Sequence, residues 1–164
     1  MKTIFTFCAL ALALPAAAQH HGYVGEQSRD IKALSADEVK QYLSGAGMGY
    51  AKAAELNRFP GPMHVLELAD KLALSAAQRS ATQALMDAHK AEARAIGARL
   101  VEAERRLEHL FRSGNVAPAV LAEAVKHAAA LEGEYRLSHL ETHRRMRALL
   151  TEEQVERYAK LRGY

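Results

Sequence analysis

Apolar residues recur at steps of three and four positions along two long stretches of the chain, at about 85–110 and 121–149. This spacing is close to the 3.6-residue period of an α-helix, so each stretch forms one apolar helix face. The Ser-Gly-Asn-Val sequence at 113–116 is typical of a helix end, and Pro118 suits the first turn of the next helix. The pattern therefore predicts a long antiparallel helical hairpin over about 75–149.

Shorter helices are predicted before the hairpin. Ser35 and Glu38 have the spacing of a capping box, in which each side chain satisfies a free backbone N–H at a helix start. Further helical segments are expected at about 50–57 and 63–72. The Phe-Pro-Gly-Pro sequence at 59–62 separates them with a turn.

Composition supports a single helical domain. Aromatic residues make up 6% of the 164 residues and Trp is absent, so the chain favours helix rich in Ala, Leu, Glu and Arg over a β-sandwich. We predict one all-α domain over 35–164, a long antiparallel helical hairpin with short flanking helices. A final helix at 151–162 follows the hairpin, and a flexible polar arm at 19–34 precedes the domain.

A short motif, Leu-Ser/Thr-x-x-Gln, occurs twice in the chain. Its hydroxyl residue and Gln have capping-box spacing, and the preceding Leu can pack as a hydrophobic staple. Each copy is therefore predicted to begin a helix, one at the start of the hairpin and one just after it. The motif residues are Leu74, Ser75 and Gln78 in the first copy and Leu150, Thr151 and Gln154 in the second.

The first 18 residues have the pattern of a secretory signal peptide. Lys2 supplies a positive charge, an apolar run follows at 4–14, and small residues precede a cleavage point after Ala18. The run is too short to span a membrane, so we expect export to the periplasm without stable membrane insertion after cleavage. The only cysteine, Cys8, lies in this segment, which excludes disulfides and thiol catalysis in the mature chain.

Charge and motif content exclude two functional classes. Without the leader, 21 Lys and Arg residues face 19 Asp and Glu residues, and the two signs alternate along the helices. This is typical of a solvated helix surface and not of a nucleic-acid interface. The sequence has no nucleophile elbow, phosphate-binding Gly loop or H-E-x-x-H metalloprotease motif. We therefore expect a protein that is not an enzyme and does not bind nucleic acid.

Histidines on the two predicted arms indicate a metal site. His139 and His143 are four residues apart and share a helix face, and folding the hairpin about its turn places His89 opposite position 140. Imidazoles suit Zn²⁺, Cu²⁺, Ni²⁺ or Co²⁺, and a thioether favours softer copper. The alternative is that these are ordinary helix residues. The predicted ligands are His89, His139, His143 and Met146, with His20 and His21 as additional candidates.

An exported, cysteine-free, all-helical chain with this repeated motif resembles the Spy/CpxP family over about 62–164. The second motif copy matches the family's LTxxQ in full, whereas the first has Ser75 in place of Thr. The resemblance implies a curved helical homodimer. Family members are periplasmic ATP-independent chaperones or modulators of envelope-stress signalling, and relatives such as ZraP and CnrX bind or sense heavy metals.

Two functional hypotheses follow. The first is a periplasmic protein for heavy-metal binding, sensing or metal-stress protection, which signals to a membrane-bound sensor or anti-sigma partner. The second is a chaperone that holds unfolded envelope proteins. A homodimer is expected in both, because an isolated hairpin of this length leaves one apolar face under-covered.

Overall fold

The computed structural model describes residues 23–114 and 116–164 of the chain. The predicted leader and the two candidate ligands His20 and His21 lie outside these residues. The described residues form helices joined by turns and contain no β-strand. A 3-10 helix at Glu26–Ser28 comes first, and the α-helices are α1 Ala36–Ser44, α2 Lys52–Glu55, α3 Pro62–Glu67, α4 Ala76–Arg112, α5 Pro118–Ala148 and α6 Glu152–Arg162.

The two longest helices, α4 and α5, pack against each other as an antiparallel hairpin. At 1.5 Å per residue their lengths are about 55 and 46 Å. Contacts run in opposite directions along the two helices: His89 meets His139, whereas Arg99 lies 3.1 Å from Glu134. The predicted all-helical class and the packing of two long helices are therefore confirmed.

A middle cluster of apolar side chains holds α1 against the centre of the hairpin. Gly97 permits this contact, because a Cβ atom there would lie 2.1 Å from the carbonyl oxygen of Tyr42. Tyr135 packs edge-on against the Tyr42 ring at 5.2 Å between centroids. The buried members are Ile31, Tyr42, Ala93, Ile96, Leu100, Val101, Ala103, Ala128, Leu131 and Tyr135.

A separate base cluster joins the open end of the hairpin to α3 and α6. Leu74 and Leu150, the first residues of the two motif copies, are both buried in it. Each motif also forms its capping box, with Ser75 and Thr151 as the N-caps of α4 and α6. The buried members are Val65, Ala69, Leu72, Leu74, Leu85, Met146, Leu150, Val155 and Tyr158.

Two short helices differ from the sequence prediction. The predicted helix at 50–57 is limited to Lys52–Glu55, and Arg58 then adopts a left-handed φ of 65°. The predicted helix at 63–72 is wrong beyond Glu67, where α3 ends and the chain continues in turns to Ala73 at φ 50°. These turns let both Leu72 and Leu74 reach the base cluster, which a continuous helix does not allow for residues two apart.

No helix in the described part of the chain combines the length and apolar character that a membrane span requires.

Candidate metal centre

A layer of buried polar residues separates the middle cluster from the base cluster. It consists of His89 on α4 and Ser138, His139 and Thr142 on α5. The two hydroxyls donate to carbonyls of their own helix, Ser138 to Tyr135 and Thr142 to Ser138. The hydroxyl protons of this layer are therefore all used within α5, which leaves the histidine N–H groups as its remaining donors.

His89 and His139 lie side by side across the hairpin. Their ring centroids are 4.5 Å apart and the ring planes are nearly perpendicular, at 86°. Both side chains are buried, with 9% of His89 and 3% of His139 exposed. The hairpin register predicted this pairing, and the structure brings the two imidazoles together.

The hydrogen bonds of His139 determine which of its nitrogens is available to a ligand. Its Nδ1 lies 2.9 Å from the Tyr135 carbonyl oxygen, which only accepts, so Nδ1 donates and Nε2 carries the lone pair. His139 Nε2 is buried, as is Nδ1 of His89, and neither makes a well-aligned hydrogen bond among the described residues. The Ala46 carbonyl, which accepts from the Tyr135 hydroxyl at 2.6 Å, lies near the His139 ring but does not form such a bond with Nε2. Two neighbouring rings thus each have a buried nitrogen without the partner that buried polar atoms normally have.

His143 lies one helical turn beyond His139, with its side chain 14% exposed. Its Nδ1 is 2.7 Å from the Phe59 carbonyl oxygen and 3.5 Å from Glu55 Oε2, so Nδ1 donates and Nε2 again carries the lone pair. A Cβ atom at Gly61 would come within 3.0 Å of that Nε2. Only glycine at this position leaves the ring its present space.

The histidine cavity is an open pocket of about 390 Å³ over these rings. Helices α2, α3, α4 and α5 and the loop before α2 form its walls. Four histidines and three methionines contribute to the lining: His64, His89, His139, His143, Met48, Met63 and Met86. The cavity therefore combines imidazole and thioether groups from separate parts of the chain.

Burial keeps the central imidazoles neutral. Desolvation lowers the pKa of His89 to about 4, and the charges that His139 and His143 can carry lower it further. Desolvation also lowers the pKa of His139, against the opposing effects of the Tyr135 and Ala46 carbonyls. The neutral form that binds metals is therefore already present near pH 7.

Glu55 connects the cavity to the C-terminal helix. Its carboxylate accepts hydrogen bonds from the hydroxyls of Tyr158 and Tyr164 and from the backbone N–H of Gly61 at 3.1 Å. The same carboxylate lies beside His143. The sequence pattern does not indicate this residue, because its tyrosine partners are 103 and 109 positions away along the chain.

Met146 does not belong to the histidine cavity. Its side chain is fully buried in the base cluster, because residue 146 lies one turn below His143 on the side of α5 that faces Val65 and Val155. The methionines that line the cavity, Met48, Met63 and Met86, were not predicted. The one signal in the sequence is the three-residue spacing of Met86 and His89, which places both on one face of α4.

The three imidazoles share a cavity without surrounding one point. Within 23–114 and 116–164, no group of three or more His, Asp or Glu side chains is arranged to hold a metal ion. His143 is held by Phe59, whereas His89 and His139 face each other. Coordination by all three therefore requires rotation of at least one side chain.

A distal groove of about 870 Å³ lies near the turn end of the hairpin. Its apolar lining comes from Ala103, Leu110, Ala119, Val120 and Ala124. Charged residues surround these, among them Arg105, Arg106 and Arg112, and His109 and His127 also border the groove. These two histidines are thus separate from the histidine cavity.

Comparisons with protein-family models, with curated proteins and with solved structures find no match to this chain. The resemblance to the Spy/CpxP family therefore stays a prediction from the sequence features given above.

Proposed function

We propose that this chain is an exported, non-enzymatic protein of the periplasm that binds a transition metal between the arms of its hairpin, in the manner of metal-binding Spy/CpxP relatives. One observation carries the proposal. His89 and His139 meet from opposite helices, and each has a buried ring nitrogen that no described residue partners.

The energetics favour a ligand at this position. A buried polar atom without a partner costs about 1–3 kcal/mol, and the two rings that carry such atoms lie 4.5 Å apart between centroids. A metal ion at about 2.0–2.1 Å from His139 Nε2 and from an unprotonated ring nitrogen of His89 would satisfy both rings. The Tyr135 and Phe59 carbonyls already hold His139 and His143 by their Nδ1 atoms, as the outer-shell partners of metal-binding histidines commonly do.

Such an ion would link α4 to α5 at the polar layer. Because the ligands come from both helices, binding stabilises one arrangement of the hairpin over others. A membrane-bound sensor or anti-sigma partner that contacts the hairpin would then detect the metal. The same chemistry serves metal buffering or protection, with Zn²⁺, Cu²⁺, Ni²⁺ or Co²⁺ as the ions that imidazoles suit.

Calorimetry and thermal unfolding with each of these ions test the proposal. A metal that binds only the folded state adds about 2.7 kcal/mol at a hundredfold excess over Kd. His89→Ala and His139→Ala should each abolish most of the binding and the stabilisation. His109→Ala and His127→Ala, which alter histidines at the distal groove, should bind as wild type does. Unchanged affinity in the first pair would refute the proposal.

The distal groove supports a second candidate function, the holding of unfolded envelope proteins without ATP. Its apolar lining and charged border suit an unfolded segment that carries both apolar and charged side chains. Val120, which is 52% exposed, lines the groove, whereas the similarly exposed Val125 does not. Val120→Asp should therefore impair suppression of client aggregation, and Val125→Asp should not. If both substitutions impair suppression of client aggregation equally, the groove is not the client-binding site.

We also propose a homodimer. The exposed apolar side chains of Phe111 and Leu137 lie on the hairpin, where a second copy would cover them. Sedimentation or light scattering at micromolar concentration should give twice the chain mass. A monomer that still binds metal would refute the homodimer but not the metal site.

A further inference from the structure

We propose that the histidine cavity is specific for a soft monovalent ion, Cu(I), because the thioethers of Met48, Met63 and Met86 line it together with the imidazoles. This inference rests on the proposed metal-binding function and adds the identity of the ion and the sulfur ligands. The structure assigns these ligands in place of Met146, which lies in the base cluster.

The placement of the methionines is the first argument. From residue 19 onwards the chain has four, and three of them line this one cavity. Met86 lies one turn before His89 on α4, Met63 is on α3, and Met48 is in the loop before α2. Three separate elements therefore bring thioethers to the same cavity.

Packing alone does not account for all three methionines. Met86 is buried, with 9% of its side chain exposed, and can serve as a core residue. Met63, however, is 47% exposed at the cavity, so burial of its side chain gains little. Met48 lines the cavity and also packs, partly buried, against the middle cluster. At Met63, a role for the side chain within the cavity explains a long thioether better than core filling does.

The charge of the surroundings favours a monovalent ion. Imidazole and thioether are neutral ligands, so they do not compensate the charge of the metal. Lys52 and Lys90 also line the cavity and add positive charge, which opposes a divalent cation more than a monovalent one. The cavity's carboxylate, Glu55, is already engaged by Tyr158, Tyr164 and Gly61.

The ligand types favour the same ion. Thioether sulfur is a soft ligand that selects Cu(I), whereas divalent Zn²⁺, Ni²⁺ and Co²⁺ are well served by imidazole alone. The neutral ring nitrogens of His89 and His139 provide borderline ligands that Cu(I) also accepts. A mixed site of imidazole and thioether therefore fits Cu(I) better than the divalent ions.

The test compares Cu(I) with Zn²⁺ on the full chain and on methionine variants. Cu(I) affinity is measured without oxygen by competition with a chromogenic Cu(I) chelator, and Ag(I) serves as a probe that needs no reductant. Met63→Leu and Met86→Leu each remove sulfur while nearly conserving volume. Met146→Leu is the matched control, because its methionine lies outside the cavity.

We expect Met63→Leu and Met86→Leu together to weaken Cu(I) and Ag(I) binding by about tenfold or more, with Zn²⁺ affinity within about twofold of wild type. Met146→Leu should leave both ions unaffected. Equal Cu(I) affinity in wild type and in the double variant would overturn the sulfur assignment, even if Zn²⁺ still binds. Absence of all metal binding by wild type, or undiminished binding by His89→Ala and His139→Ala, would overturn the proposed function itself. Because Met63 is half exposed, Met63→Leu alone provides the test if the Met86 variant unfolds.

Discussion

The side chains of Gln78 and Gln154 bind each other through a reciprocal pair of hydrogen bonds. Gln78 Nε2 donates to Gln154 Oε1 at 2.8 Å, and Gln154 Nε2 donates to Gln78 Oε1 at 3.1 Å. Each amide oxygen also accepts from the N-cap backbone N–H of its own helix, at 3.0 Å from Ser75 and from Thr151. The two capping boxes are therefore directly joined.

The same amides extend this link to the ends of neighbouring segments. Gln78 Nε2 reaches the carbonyl oxygen of Leu149 at 2.9 Å, and Gln154 Nε2 reaches that of Leu72 at 3.3 Å. Each Gln thus caps its own helix and satisfies a carbonyl before the other copy of the motif. The repeated Leu-Ser/Thr-x-x-Gln sequence forms one structural unit that joins the starts of α4 and α6.

The first prediction concerns this unit. Gln154→Glu keeps an oxygen for capping but removes the N–H groups that reach Leu72 and Gln78, and it places a carboxylate against the Gln78 oxygen. We expect a loss of about 1–3 kcal/mol in the free energy of unfolding, measured by urea titration. Gln27→Glu is the control. The Gln27 side chain accepts from the Gly25 N–H at 2.7 Å, and a glutamate at this position keeps the accepting oxygen. A similar, small effect of both substitutions would contradict the joined-cap interpretation.

The second prediction concerns the contact of α1 with the hairpin. Gly97→Ala introduces a Cβ 2.1 Å from the Tyr42 carbonyl oxygen, so α1 must move away from α4. We expect the free energy of unfolding to fall by about 1–3 kcal/mol, the typical cost of overpacking. Gly133 on α5 has no atom within 4 Å of a built Cβ. Gly133→Ala should therefore raise the thermal unfolding midpoint, since Ala favours helix by up to about 1 kcal/mol. A stabilising Gly97→Ala would show that the close approach is not rigid.

Helix length and hairpin register could be predicted from the sequence because both follow from local spacing. Apolar periodicity located α4 and α5, and the turn at 113–116 fixed the register that pairs His89 with His139. The methionine lining could not be predicted, because Met48 and Met63 reach the cavity through turns whose geometry depends on tertiary contacts. Met146 has the right helical spacing from His143, but α3 and α6 cover that position.

The third prediction is that the metal-free protein loses stability in mild acid. Burial lowers the pKa of His89 to about 4, below the ordinary value of about 6.5 that applies to the unfolded chain. Between these values the unfolded state binds a proton that the folded state excludes, so the free energy of unfolding falls as pH decreases from about 6.5 towards 4. Urea titrations with a chelator present, at pH 7 and pH 5, measure this change. His89→Leu should reduce the difference in free energy of unfolding between pH 7 and pH 5. If the difference is as large in this variant as in wild type, groups other than His89 cause it.

Nitrogen NMR of the histidine rings, recorded before and after addition of one equivalent of diamagnetic Zn²⁺ or Cu(I), tests the metal site most directly because it observes each ring nitrogen separately. We expect the Nε2 resonance of His139 to shift on metal addition while its Nδ1 remains protonated towards Tyr135, and a ring nitrogen of His89 to shift with it. The resonances of His109 and His127 at the distal groove should stay unchanged. If neither ion shifts the resonances of His89 and His139, the two buried imidazoles do not form a metal site and the central claim is wrong.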